Sequence, residues 1–433
     1  MTPLEAGLLG TALLLVLLIF SMPVGFAMGV VGFIGFAMIV SPDAAISMVT
    51  ADLYETFSSY GLTVIPLFVL MGQVALHSGI SRKLFDAAYC WLGRLPGGMA
   101  MATVGACTGF GAICGSGPAT AATMASVALP EMKRFKYNMG LATGAVAAGG
   151  GLGMLIPPSV VFICYAIMTE QSIGRLFLAG VLPGILIASL FCILIYLQCR
   201  VNPSLGPVAA RTPWKKKFKS LLGVSETLVL FILVMGGMFA GFFTPTEAAA
   251  VGAGGSLLMA AVRRSISLKT LYQALKETAR TSCMVMIIVA GATMFGHFLA
   301  VTRIPFELAS WLSGLTLPSW MIIAFIILFF LVAGCFVDAL ALIMLTIPIL
   351  YPVVTGLGYD PVWFGVIVVI VTQMGVISPP VGVNVYVVSG IERDVPLQVI
   401  FRGALPFLAV LVIAAAIIMM FPAISLWLPN LVG

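Results

Sequence analysis

The sequence is poor in charge. Only 8% of its 433 residues are Asp, Glu, Lys or Arg, and it holds just two histidines. A soluble domain carries about 25% charged residues, so this chain cannot furnish a water-facing surface. With 61% hydrophobic residues, intrinsic disorder is excluded too, because disordered chains are apolar-poor. The eight cysteines (90, 107, 114, 164, 192, 199, 283, 335) stand singly, without paired spacing. They read as small buried hydrophobes rather than a disulfide or metal framework. There is no Walker loop and no nucleophile–base arrangement, so neither ATP hydrolysis nor any enzyme chemistry is expected. The net charge of +6 comes without aromatic-basic interleaving, which sets nucleic acid aside.

What the chain has is apolar runs of helix length, such as Leu4–Phe20, Leu221–Phe243 and Ile322–Ala333. Barrel strands would alternate in polarity, and these runs do not. The expected fold is an all-α polytopic membrane protein. The N-terminus lacks a basic n-region and a small-residue cleavage site, so Leu4–Phe20 is expected as a retained span.

The few charges are sorted by sign. All but Arg175 and Arg303 of the 21 basic residues fall in five clusters: 82–94, 133–136, 200–219, 263–280 and 393–402. Ser41–Glu55 and Thr244–Glu247, read as outside loops, hold acids and no base. The positive-inside rule therefore puts the clusters in the cytoplasm.

Two stretches, Leu95–Pro130 and Pro318–Pro352, must return to the side they left. Each is either two full crossings or a re-entrant hairpin. Their shortness against about 20 residues per crossing, and the helix-breaking Gly115-Ser116-Gly117-Pro118, favour hairpins. The rest reads as about ten or eleven transmembrane helices, Ser282–Thr302 among them. Residues 1–80 and 221–317 are expected as scaffold, the latter with a cytoplasmic arm. Residues 81–200 and 318–433 form two repeats, each with a hairpin and a broken helix. Residues 201–220 are expected as a basic linker.

The repeat rests on a separation of 222 residues: Leu95-Pro96 with Leu317-Pro318, Pro130 with Pro352, Tyr137 with Tyr359, Gly153 with Gly375, and Pro157-Pro158 with Pro379-Pro380. One hairpin is anchored inside and the other outside, so the repeats are inverted. That pattern belongs to secondary transporters, which bind substrate and ions near the midplane on broken helices. The expected breaks are Gly149–Ser159 and Gly375–Gly382, and the expected tips are Gly115–Thr120 and Val337–Leu340. Freed backbone is tolerated at that depth where it is buried or lines a wet cavity; simple packing kinks are the alternative.

Asp338 is the only charge between Glu307 and Asp360, and an intramembrane carboxylate marks an ion or proton path by default. Its repeat mate is Ser116. Arg303 either grips a substrate carboxylate as a bidentate fork or anchors a short helix through Glu307. Arg175 reads as an interfacial anchor, and His77 and His297 as structural.

The run from Gly109 to Ala166, GFGAICGSGPATAATMASVALPEMKRFKYNMGLATGAVAAGGGLGMLIPPSVVFICYA, resembles the large membrane subunit of tripartite ATP-independent periplasmic (TRAP) transporters, the DctM-like family. MGVISPPVGVNVYVVSG, from Met374 to Gly390, looks like its second matching segment. The resemblance implies an elevator-type, Na⁺-driven importer of an organic anion, sialic acid or a C4-dicarboxylate, in the bacterial inner membrane. It also implies two partners, a periplasmic binding protein and a separate four-helix membrane subunit. By motif position, Na⁺ ligands fall at Ser116, Gly117 and the carbonyls of Leu155, Ile156 and Pro157, and at Asp338, Ser378 and Pro379. Arg303, Thr120, Ser159 and Asn384 are the substrate-binding candidates. The alternative function is a Na⁺/carboxylate symporter of the same superfamily that needs no binding protein.

Overall fold

A computed structural model of the chain describes residues 2–208, 212–313 and 318–432. Arg211 of the basic linker and Leu317 of the repeat lie outside the described residues. Every regular element among those described is a helix. Six helices are long and apolar enough to cross a membrane, or seven if Pro42–Ser58 and Gly61–His77, bent by 55°, count as one. Six further apolar helices have 10–17 residues.

Local sequence sets the helix starts. Thr2 and Thr244 each close a capping box with the glutamate three residues on. Asn138 and Asp360 accept hydrogen bonds from backbone N–H groups of the first turns that follow them.

The two halves follow one order. In the first, Gly98–Cys114 and Gly117–Arg134 make a hairpin, Met139–Leu155 and Val160–Thr169 a broken helix, and Ile173–Val201 a long helix. In the second, Ser319–Gly334 and Ala339–Gly356 make the hairpin, Pro361–Gly375 and Val383–Ile391 the broken helix, and Leu397–Met420 the long helix. Pro130 and Pro352 do not end their hairpins but sit inside the second helix of each.

Three boundaries differ from the sequence reading. Ser41–Glu55, expected as an outer loop, is mostly helix, because Ser41 caps it and Pro42 occupies its first turn. Part of the basic linker is helical: Trp214–Phe231 carries the lysine run into the next span. The span expected from Ser282 is the end of a 35-residue helix, Leu268–Thr302. At 1.5 Å per residue it is about 52 Å long, well beyond the ~30 Å hydrocarbon core.

The first broken helix is the most enclosed part of the molecule, with Leu141–Ala166 buried throughout. Gly149–Gly153 were expected in the break, yet they are helical, and the interruption is only Ile156–Ser159. Close packing explains it. A Cβ at Gly150 would lie 2.6 Å from the Ala121 side chain, and one at Gly111 would lie 2.7 Å from Gly153 Cα. The glycines cost helix propensity of about 1 kcal/mol each, and interhelical contact at backbone distance offsets it.

Candidate functional site

Each hairpin tip is fastened to the break in its own half. At the first, Gly115 is left-handed (φ 64°) and Ser116 extended. The Gly115 carbonyl accepts the Val160 N–H at 3.4 Å, at the start of the half-helix. At the second, the Cys335 carbonyl accepts the Val381 N–H at 3.2 Å. Pro157-Pro158 and Pro379-Pro380, both cis, occupy the breaks. Behind the tips, hairpin and broken helix touch glycine to glycine, Gly111 on Gly153 and Gly334 on Gly375.

Both tips open into one cavity of about 880 Å³. The rest of its lining comes from Pro23–Phe26, from Val69, Gly72 and Gln73, and from the Arg280–Ile288 part of the long helix. Two helix N-termini meet there, those of Gly117–Arg134 and Ala339–Gly356, and such termini carry partial positive charge. Asp338 caps the second, one carboxylate oxygen accepting the Leu340 N–H at 3.1 Å. Among the described residues no base pairs with it.

The predicted residues divide by position. Ser116, Gly117 and Asp338 line the cavity. Leu155, Ile156, Pro157 and Ser378 are buried behind the tips; the Leu155 carbonyl lies against Gly180, where a Cβ would be 2.5 Å from it. Pro379 is exposed and does not line the cavity.

The substrate candidates are not at the cavity. Thr120, Ser159 and Asn384 are wholly buried, because each is used inside the helix packing. Thr120 Oγ1 packs against Gly153. Ser159 caps its half-helix and donates to the Met154 carbonyl. Asn384 Nδ2 donates to the Ala147 carbonyl at 3.0 Å, joining the two broken helices. Arg303 is the left-handed C-cap of the long helix, its guanidinium 5.5 Å from the Phe306 ring centre. Neither the cavity nor, among the described residues, an ion pair with Glu307 holds it. Of the histidines, His297 lies 3.2 Å from the buried Asp52 carboxylate, and His77 contacts the Gln73 carbonyl at 2.9 Å.

Two residues escaped the sequence reading. Arg280 lines the cavity and was absorbed into a basic cluster. Gln373 is fully buried, both amide atoms without a partner, against Gly151, its own repeat mate. A lone amide in the apolar Val362–Met374 run was the available signal.

Beyond this geometry, the model of the tripartite ATP-independent periplasmic transporter DctM component matches residues 11–424. The C4-dicarboxylate TRAP transporter large permease protein DctM of Pseudomonas aeruginosa is 39% identical, covering 92% of each chain. The sialic acid TRAP transporter large permease protein SiaM of Vibrio cholerae is 33% identical over 96% of each. Among solved structures, the YdaH transporter of Alcanivorax borkumensis superimposes with a TM-score of 0.62 over 98% of both chains at 13% identity, a likeness of fold. A multi-pass helical chain with paired hairpins and broken helices, matched over nearly its whole length, belongs to the DctM family, the large membrane subunits of TRAP transporters.

Proposed function

We propose that the chain imports an organic carboxylate, a C4-dicarboxylate or sialic acid, across the bacterial inner membrane and is driven by Na⁺. It works with a small membrane subunit and a periplasmic binding protein, the partners its family membership implies. The observation that carries the reading is the meeting of both hairpin tips, one bearing Asp338, in a single cavity. Helix N-termini there suit a carboxylate, while broken-helix carbonyls and a carboxylate offer the hard oxygens that suit Na⁺.

The donor set supports that ion. Thr120 Oγ1 is buried without a hydrogen-bond partner, and it and the Ser116 carbonyl converge on Gly153. Ser116, Gly117 and the Ile156-Pro157 carbonyls in one half, and Asp338 with Ser378-Pro379 in the other, are the residues that would hold Na⁺. Transport follows an elevator path, in which hairpins and broken helices travel together against the wall formed by the N-terminal and long helices. The backbone bonds from each tip to its break are the contacts such a moving unit keeps.

The test is reconstitution of the chain with its small subunit and binding protein in proteoliposomes, scoring uptake of succinate and N-acetylneuraminate. Uptake of one of them requires all three components and an inward Na⁺ gradient. Uptake without the binding protein would overturn the tripartite reading, and uptake indifferent to Na⁺ would overturn the coupling. Asp338→Asn raises the half-saturating Na⁺ concentration about tenfold or more; an unchanged Na⁺ dependence removes Asp338 from the ion site.

A further inference from the structure

Among the described residues, Arg280 and Asp338 are the only charged ones lining the cavity. They belong to different elements, Asp338 to a hairpin tip and Arg280 to the long Leu268–Thr302 helix. Asp338 is engaged by the first turn of its own helix. Arg280 is exposed and makes no ion pair among the described residues, whereas Arg263 and Lys83 share Glu226, and Lys133 holds Glu392 and Asp394. Nearby Lys269 and Lys276 belong to the same basic cluster but do not line the cavity.

An unpaired guanidinium in a recess with mostly apolar walls focuses positive potential into it. Its planar fork matches a carboxylate bidentately, and two helix N-termini add to the same sign. The basic cluster places Arg280 toward the cytoplasmic end of its helix. On the reading of the chain as an organic-anion importer, we propose that Arg280 is the anion-receiving residue that the long helix contributes to the cavity. It takes the carboxylate of the transported anion as that anion leaves the tips for the cytoplasm. Arg280 thus acts on the release side of the cycle, whereas the tips carry the anion inward.

Cys283, one turn further along the helix, is exposed and lines the same cavity, so it reports the local potential. Membrane vesicles holding the full chain with its small subunit are labelled with an anionic (ethylsulfonate) or a cationic (ethyltrimethylammonium) methanethiosulfonate. Modification of the Cys283 peptide is followed by mass spectrometry. Arg280→Gln lowers the anionic-to-cationic rate ratio by at least about fivefold, and Arg280→Lys leaves it within about twofold. An unchanged ratio in Arg280→Gln overturns the proposal.

The second measurement is Na⁺-driven uptake of whichever anion, succinate or N-acetylneuraminate, the wild type carries. Arg280→Gln slows its turnover about tenfold at wild-type levels of complex, and Arg280→Lys restores part of the rate. Normal turnover in Arg280→Gln overturns the proposal even if the labelling ratio falls. If the wild type carries neither anion, the C4-dicarboxylate or sialic acid reading fails, while the labelling ratio still decides whether this wall attracts anions.

Discussion

Gly375→Ala tests the glycine contact behind the second tip. The new Cβ would stand 2.5 Å from the Gly334 carbonyl carbon and oxygen. Ordinary carbon contacts begin near 3.5 Å, and the obstacle is backbone, which cannot rotate aside. The Ser319–Gly334 helix must therefore retreat by about 1 Å. Overpacking of this kind costs about 1–3 kcal/mol. The displaced helix ends four residues before Asp338, so the tip shifts with it. We expect a lower thermal midpoint in detergent and a several-fold higher half-saturating Na⁺ concentration for uptake. Gly254→Ala is the control: that helical glycine has nothing within 4 Å, and the change is neutral or stabilises by up to about 1 kcal/mol. If Gly375→Ala matched the wild type in both midpoint and Na⁺ dependence, the contact would not position the tip.

Asn384→Leu removes the bond to Ala147 and destabilises by about 1–2 kcal/mol; an unchanged midpoint would show that the bridge contributes nothing. Gln373→Leu behaves oppositely. Neither of its buried amide atoms has a partner, so removing them raises the midpoint by the equivalent of about 1 kcal/mol, and a fall would mean that the amide is satisfied in the membrane. Lys133 bridges Glu392 and Asp394 at 3.0 and 2.6 Å. Asp394 holds the Lys133 ammonium charged above the ordinary lysine range, and Lys133 holds the Asp394 carboxyl below the ordinary carboxylate range. The pair is lost only as pH falls through the lowered Asp394 value or rises through the raised Lys133 value. Lys133→Ala should lower the midpoint equally between about pH 5 and 9, and less in high salt; a loss confined to one end of that range refutes the assignment.

The hairpins and breaks were legible because glycine and proline announce them directly, at Gly115–Pro118 and at each proline pair. Their extent was not. Gly149–Gly153 read as helix-breaking from propensity alone, and what keeps them helical is Ala121, Cys107 and Gln373 packing onto them from distant segments. Thr120, Ser159 and Asn384 carry the chemistry of a site but are buried in the packing, where Ser159 and Asn384 bond backbone carbonyls and Thr120 Oγ1 has no partner. Arg280 was hidden by its neighbours: counted among bases that mark one side of a membrane, it lost its individuality. Helix Pro42–Ser58 escaped for a related reason, since its Asp52 and Glu55 suggested a solvated loop.

The Asn384–Ala147 bond spans 237 residues, and the Lys133 pairs span about as many. At about 5–20 residues per second, roughly 12–47 s separate synthesis of the first broken helix from arrival of its partner. Throughout that interval Leu141–Ala166, the most enclosed segment of the finished protein, lacks its second-half neighbours. The break at Ile156–Ser159 must meanwhile sit among lipid or in the insertion machinery. The recurrence of hairpin, broken helix and long helix in the two halves thus leaves the first half a long-lived, incomplete guest of the membrane. Truncation after the linker should deliver it to proteolysis rather than leave a half-transporter.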